Sequence, residues 1–90
     1  MRDCFMDTTF SLAGYFVNDE KTVNIFLQRS KSKAELTEKA AQLTDNILNN
    51  GHEAFDTDTL ISWTDQEENR YVGSVEGETP YIRFSICELP

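Results

Sequence analysis

Ninety residues carry 16 Asp and Glu against 8 Lys and Arg, a formal charge of −8, with 39% hydrophobic residues and 11% aromatic. One small folded domain is the expectation. No apolar run approaches the ~20 residues that cross a bilayer, and acid on this scale opposes direct binding to nucleic-acid phosphates or anionic lipid.

Residues 1–7 hold no signal-peptide-like apolar stretch, so a flexible N-terminal segment, a domain over 8–90 and a cytoplasmic location are expected. Cys4 and Cys87 lie near opposite ends, and no disulfide is expected in a reducing compartment.

Thr8 to Val17 reads as a first strand, rich in β-branched and aromatic residues. Phe10, Leu12 and Phe16 share one face; Tyr15 and Val17 share the other. Gly14 inside the run suggests a bulge or a close approach by a helix. A polar turn, Asn18 to Lys21, leads to a second strand over Thr22–Arg29, with Val23, Ile25 and Leu27 alternating against Asn24, Phe26 and Gln28.

A helix follows. Ser32 and Glu35 have the spacing of a capping box, in which each side chain satisfies a backbone donor at the helix start. Leu36, Ala40, Leu43 and Ile47 recur on one side, widened by Ala41 and Leu48. Asn49-Asn50-Gly51 supplies a left-handed stop, for a helix of about eighteen residues, roughly 27 Å long.

Beyond an acidic connection, Thr59–Thr64, Arg70–Val75 and Tyr81–Cys87 read as three further strands, separated by Asp65–Asn69 and Glu76–Pro80. The order is ββαβββ: an α+β fold with a largely antiparallel five-stranded sheet and one helix on one face. The expected core is Phe10, Leu12, Phe16, Val23, Ile25, Leu27, the helix stripe, Ile61, Trp63, Ile82, Phe84 and Ile86. The opposite face then carries Tyr15, Val17, Phe26, Val72, Tyr81 and Cys87 among Ser11, Asn24, Ser62, Arg83 and Ser85. The third strand is expected to run parallel to the second, an orientation in which it could pair antiparallel with the first; the pattern leaves strand order open.

Catalytic groups are sparse. His52 is the single histidine, placed where a cation would favour the helix C-terminus. Nothing local brings it to either cysteine as a nucleophile pair. The glycines are isolated, without a phosphate loop or dinucleotide fingerprint. Glu53, Asp56 and Asp58 are oxygen donors but lack the calcium-loop pattern. No catalytic residue, metal or cofactor is assigned.

The charge distribution carries the remaining signal. Between residues 45 and 79 lie nine acidic residues and one base, Arg70. Arg29, Lys31, Lys33 and Lys39 form a modest basic stretch around the helix start. The carboxylates of Glu53, Asp56, Asp58, Asp65, Glu67, Glu68, Glu76 and Glu78 suit a basic protein surface, including that of a nucleic-acid-binding protein. The leading expectation is therefore an acidic protein-binding module, of the kind represented by the nucleic-acid-mimicking inhibitors of phage and other mobile elements or by nuclease immunity proteins. The alternative is a homodimeric structural or regulatory module joined through Tyr15, Phe26, Val72 and Tyr81 on the back of the sheet.

Overall fold

The computed structural model describes residues 8–89; the N-terminal segment 1–7 and Pro90 lie outside the described residues. The chain runs β1 (Thr9–Asn18), β2 (Lys21–Ser30), α1 (Lys33–Asn50), a 3₁₀ turn (Thr57–Thr59), β3 (Ile61–Thr64), β4 (Arg70–Gly73) and β5 (Tyr81–Leu89). The five strands form one antiparallel sheet in the order β2-β1-β5-β4-β3, with α1 against one face. This is the expected α+β architecture.

Half of the expected capping box forms: Ser32 caps the Glu35 amide, but the Ser32 amide is satisfied by Ser30 and not by the Glu35 side chain. Ser32 is extended, and its Oγ accepts from the Glu35 amide at 3.1 Å. The Ser32 amide donates to Ser30 Oγ at 3.0 Å. At the other end Gly51 takes φ +80 and donates to the Ile47 carbonyl at 2.8 Å. A side chain there would strain the backbone and meet Thr57.

Strand β3 runs parallel to β2, as expected, but does not pair with β1. It pairs only with β4, at the sheet edge, while β5 pairs with β1 through nine register pairs from Thr9↔Leu89 to Val17↔Tyr81. The longer β5 matches β1 along its length and aligns Leu12 with Ile86 and Phe16 with Ile82. A four-residue β3 offers less.

The centre of the core is Leu12, Leu36, Ala40, Phe55, Ile82 and Phe84, with Phe10, Phe16, Phe26, Leu43, Ile47, Leu60 and Ile86 packed around it. Leu12, Leu36, Ile82 and Val72 are fully enclosed, each stabilising the fold by about 1.5–3 kcal/mol. Thr44 is also buried, its hydroxyl donating to the Ala40 carbonyl at 2.8 Å.

Several residues change face. The register shifts between Gly14/Tyr15: Gly14 pairs with Phe26 and Tyr15 with Asn24, leaving Ile25 as an extra residue in β2. This bulge reverses side-chain parity beyond it. Phe26 consequently turns to the helix side, not to the back face, and Leu27 turns away. Asn24 Nδ2 braces the bulge by donating to the Gly14 carbonyl at 3.2 Å and the Phe26 carbonyl at 3.1 Å. Gly14 is required by the approach of neighbouring rings rather than of the helix: a Cβ there would sit 2.9 Å from Phe84 Cε1 and 3.1 Å from Phe26 Cβ.

The meander shows the same kind of correction. Val72 pairs with Ile82 and is fully buried on the helix side, so it is no part of the back face. Ser62 opposite it faces the helix side as well. Ile61 and Trp63, expected in the core, emerge on the uncovered face with Tyr71. Val23, Ile25 and Leu27 are not core residues; they are 48%, 48% and 57% exposed on edge strand β2. Phe55, in the loop after the helix, supplies core volume instead.

Candidate functional site

The uncovered face gathers aromatic side chains because β3, β4 and β5 pair in register. Trp63 lies opposite Tyr71, Gly73 opposite Tyr81, and Tyr71 opposite Arg83. Trp63 and Tyr71 stack with centroids 5.4 Å apart and planes 3° from parallel. Tyr81 stands edge-on to both, at 6.2 Å from Trp63 and 5.5 Å from Tyr71. Such offset and edge contacts contribute roughly 0.5–1.5 kcal/mol per pair beyond buried area, so the trio forms an ordered platform.

Gly73 admits this arrangement. A Cβ there would lie 3.2 Å from Tyr81 Cβ, 3.2 Å from the Pro80 carbonyl oxygen and 3.3 Å from Trp63 Cη2. The indole thus lies across a position that has no side chain.

Toward the sheet centre, the Arg83 guanidinium carbon sits 5.2 Å from the centroid of Tyr15, a cation–π contact. Among the described residues, Arg83 Nε is the single buried side-chain nitrogen or oxygen without a hydrogen-bond partner. The strands place no Asp or Glu on this face; its charged strand residues are Arg29 and Arg83. In a chain of charge −8 this is a carboxylate-free surface with aromatic residues at one side.

The acid lies at the two ends of the sheet. Asp65 begins the β3–β4 loop and organises it: Oδ1 accepts from the Glu67 and Asn69 amides at 2.8 and 3.0 Å. Oδ2 accepts from Asn69 Nδ2 at 2.9 Å and from the Tyr71 hydroxyl at 2.7 Å. The Asn69 and Tyr71 side-chain bonds hold the Asp65 carboxyl down at about 2. Burial, and then the bond to Asp65, pushes the Tyr71 phenol upward. Asp65 is therefore a structural brace that ties the acidic loop to the platform. The same loop projects Glu67 and Glu68 into solvent, Glu68 at φ 68. Both line a concavity of about 130 Å³ with Lys33, Thr37 and Arg70.

The remaining acidic positions belong to the opposite end of the sheet. Thr59 Oγ1 bonds Ser74 Oγ at 3.1 Å, linking the 3₁₀ turn to the β4–β5 turn. Thr79 Oγ1 bonds Asp19 Oδ1, linking that turn to the β1–β2 turn. Glu53, Asp56, Asp58, Glu76 and Glu78 thus share one end with Asp19 and Glu20, and all are exposed. One Asp56 oxygen also accepts from the Asp58 amide at 3.1 Å. The eight sequence-selected acids accordingly form two groups, five at this end and Asp65, Glu67 and Glu68 at the other, rather than one continuous patch.

Of the proposed dimer residues, Tyr15 and Tyr81 lie on the uncovered face, whereas Phe26 and Val72 do not. Trp63 and Tyr71 belong to the platform and were not selected from sequence. Their available signal was the paired aromatic positions in two short neighbouring strands.

His52 follows Gly51 at the helix C-terminus. Its Nδ1 accepts from the Ala54 amide at 3.1 Å, and its ring forms a three-ring cluster with Phe16 and Phe55, with centroids 6.3 and 5.4 Å away. It sits beyond the helix C-terminus, while Cys87 is exposed at the far end of β5 on the uncovered face, so these two form no dyad. Among the described residues no group of three or more His, Cys, Asp or Glu is placed to hold a metal, and no helix is long and apolar enough to cross a membrane.

No protein family, curated protein or solved structure matches this chain.

Proposed function

We propose that this chain is a protein-binding module that docks the Trp63–Tyr71–Tyr81 face against a basic surface of a partner protein, acting by occupancy rather than catalysis. The observation that carries the reading is the position of the aromatic trio between two acidic loops. The β3–β4 loop bears Asp65, Glu67 and Glu68 at one end; the β4–β5 turn bears Glu76 and Glu78 at the other. An aromatic centre with a charged rim is the common anatomy of a protein interface. Rim carboxylates steer a basic partner and set salt dependence, while the central rings supply the desolvated contact.

This division of labour differs from a pure charge mimic. Asp65 uses both carboxylate oxygens within its own loop. The exposed carboxylates for encounter are those of Glu67, Glu68, Glu76 and Glu78, with the group at Glu53, Asp56 and Asp58 extending the field at one end. A basic partner in this reading includes a nucleic-acid-binding protein, whose Arg side chains would stack on Trp63 and Tyr81.

The competing reading is self-association through the same face, favoured by its freedom from carboxylates. Capture of host proteins on the immobilised chain, at rising salt, separates the two. The expected result is a basic partner retained by the parent, lost on Trp63→Ala/Tyr81→Ala, and retained less at low salt by Glu67→Gln/Glu68→Gln/Glu76→Gln/Glu78→Gln. Retention unchanged by the aromatic double substitution contradicts the proposal. Loss of concentration-dependent dimers in that same double variant would favour self-association.

A further inference from the structure

The sheet has two edges, and they are built differently. The β3 edge is four residues long, with Asp58 and Asp65 near its ends. Short length and flanking charge discourage pairing with another strand. The β2 edge is ten residues long, pairs only with β1, contains no Asp, Glu or Pro, and confines its charge to Lys21 and Arg29 near its two ends. Among the described residues, three of the five exposed large hydrophobics, Val23, Ile25 and Leu27, lie on it. The bulge places Val23 toward the helix side and Leu27 toward the uncovered side, so aliphatic surface is offered on both faces of one open edge.

From this we infer that two copies of the chain associate through β2, pairing antiparallel to form one continuous ten-stranded sheet. The strand is self-complementary in that arrangement. A two-fold axis between Ile25 and Phe26 leaves the bulge at the centre, with regular runs on either side. Lys21 then meets Ser30, Thr22 meets Arg29, Val23 meets Gln28 and Asn24 meets Leu27. No acidic residue faces another along the ladder, which matters for two copies that each carry −8.

A groove of about 360 Å³ beside the strand, lined by Phe16, Val23, Ile25, His52, Glu53 and Ala54, adds apolar surface for the incoming copy. The contact is modest in area. Ten residues at ~3.3 Å each give an edge of about 33 Å, and a strip one sheet thick buries on the order of 700 Å² over both copies. Stable complexes typically bury roughly 1,200–2,000 Å², so the dimer is weak, exchanging, and dependent on concentration.

The pairing is independent of the partner-binding face, which it leaves open, and its test is separate. Sedimentation velocity of the full chain over a range from micromolar to near-millimolar concentration should show a rising weighted-average coefficient. Val23→Lys/Leu27→Lys, at positions already about half exposed, should weaken association at least tenfold with unchanged circular dichroism. Trp63→Ala/Tyr81→Ala should leave it intact. Hydrogen exchange of the parent should slow at β2 amides as concentration rises, a readout that needs no variant. A monomer throughout the range, or a dimer abolished by the aromatic pair and indifferent to the lysines, overturns the inference.

Discussion

Replacing Gly14 with Ala tests the packing that gives the sheet its two faces. The added Cβ would lie 2.9 Å from Phe84 Cε1, 3.1 Å from Phe84 Cδ1 and 3.1 Å from Phe26 Cβ. Carbon atoms pack best at about 3.5–4.0 Å, so the overlaps are about half an ångström or more. Phe84 is 4% exposed, within the core, and has little room to retreat. Phe26 Cβ is tied directly to the β2 backbone, so its displacement disturbs the braced bulge. Overpacking of this kind costs about 1–3 kcal/mol. The lower entropy of the unfolded Ala chain returns about 0.4–1 kcal/mol. A net loss of about 1–2 kcal/mol is expected, which lowers the midpoint of a 60–100-residue domain by about 4–16 °C. Urea unfolding followed by the fluorescence of Trp63, the single tryptophan, measures it. An Ala variant equal to or more stable than the parent would refute the claim that these rings require an empty position.

Val72→Ala should lower stability by about 2 kcal/mol, since Val72 is fully enclosed. Leu27→Ala should change it by under about 0.5 kcal/mol in dilute solution, where the side chain remains in water; equal losses in urea titrations would contradict the assigned faces. Asp65 gives an acid-dependent component of stability. Its folded-state carboxyl lies at about 2, below the ordinary value of 3.8 for a free side chain, so its contribution is present above about pH 4 and is lost as pH falls toward 2. Asp65→Asn should flatten that part of the acid-unfolding curve, and an unchanged slope there would contradict the hydrogen-bond assignment.

The helix was legible because its instructions are local. Ser32, the apolar spacing from Leu36 to Ile47 and Gly51 act within a few residues of one another. Strand existence was also legible, from β-branched and aromatic runs. Strand facing was not, because it depends on pairing partners far away in sequence. In β2, alternation alone put Val23, Ile25 and Leu27 inside; the bulge opposite Gly14/Tyr15 and the edge position place them in water. In β3, Ile61 and Trp63 looked like a buried alternation, yet their partners Gly73 and Tyr71 set them on the uncovered face. The acidic positions were visible as residues, and their two groups follow once the three C-terminal strands form a meander, which sets successive turns at opposite ends of the sheet. Phe55 carries no periodic signal; its burial follows from contact with Phe16 and the returning loop.

Hydrogen exchange of this chain bound to its captured basic partner tests the central claim most directly. Protection is expected across 61–64, 70–73 and 81–83, with smaller effects in the loops at 65–69 and 74–80. Protection confined to the helix or to residues 21–30, with the aromatic strands exchanging as in the free chain, would contradict the account.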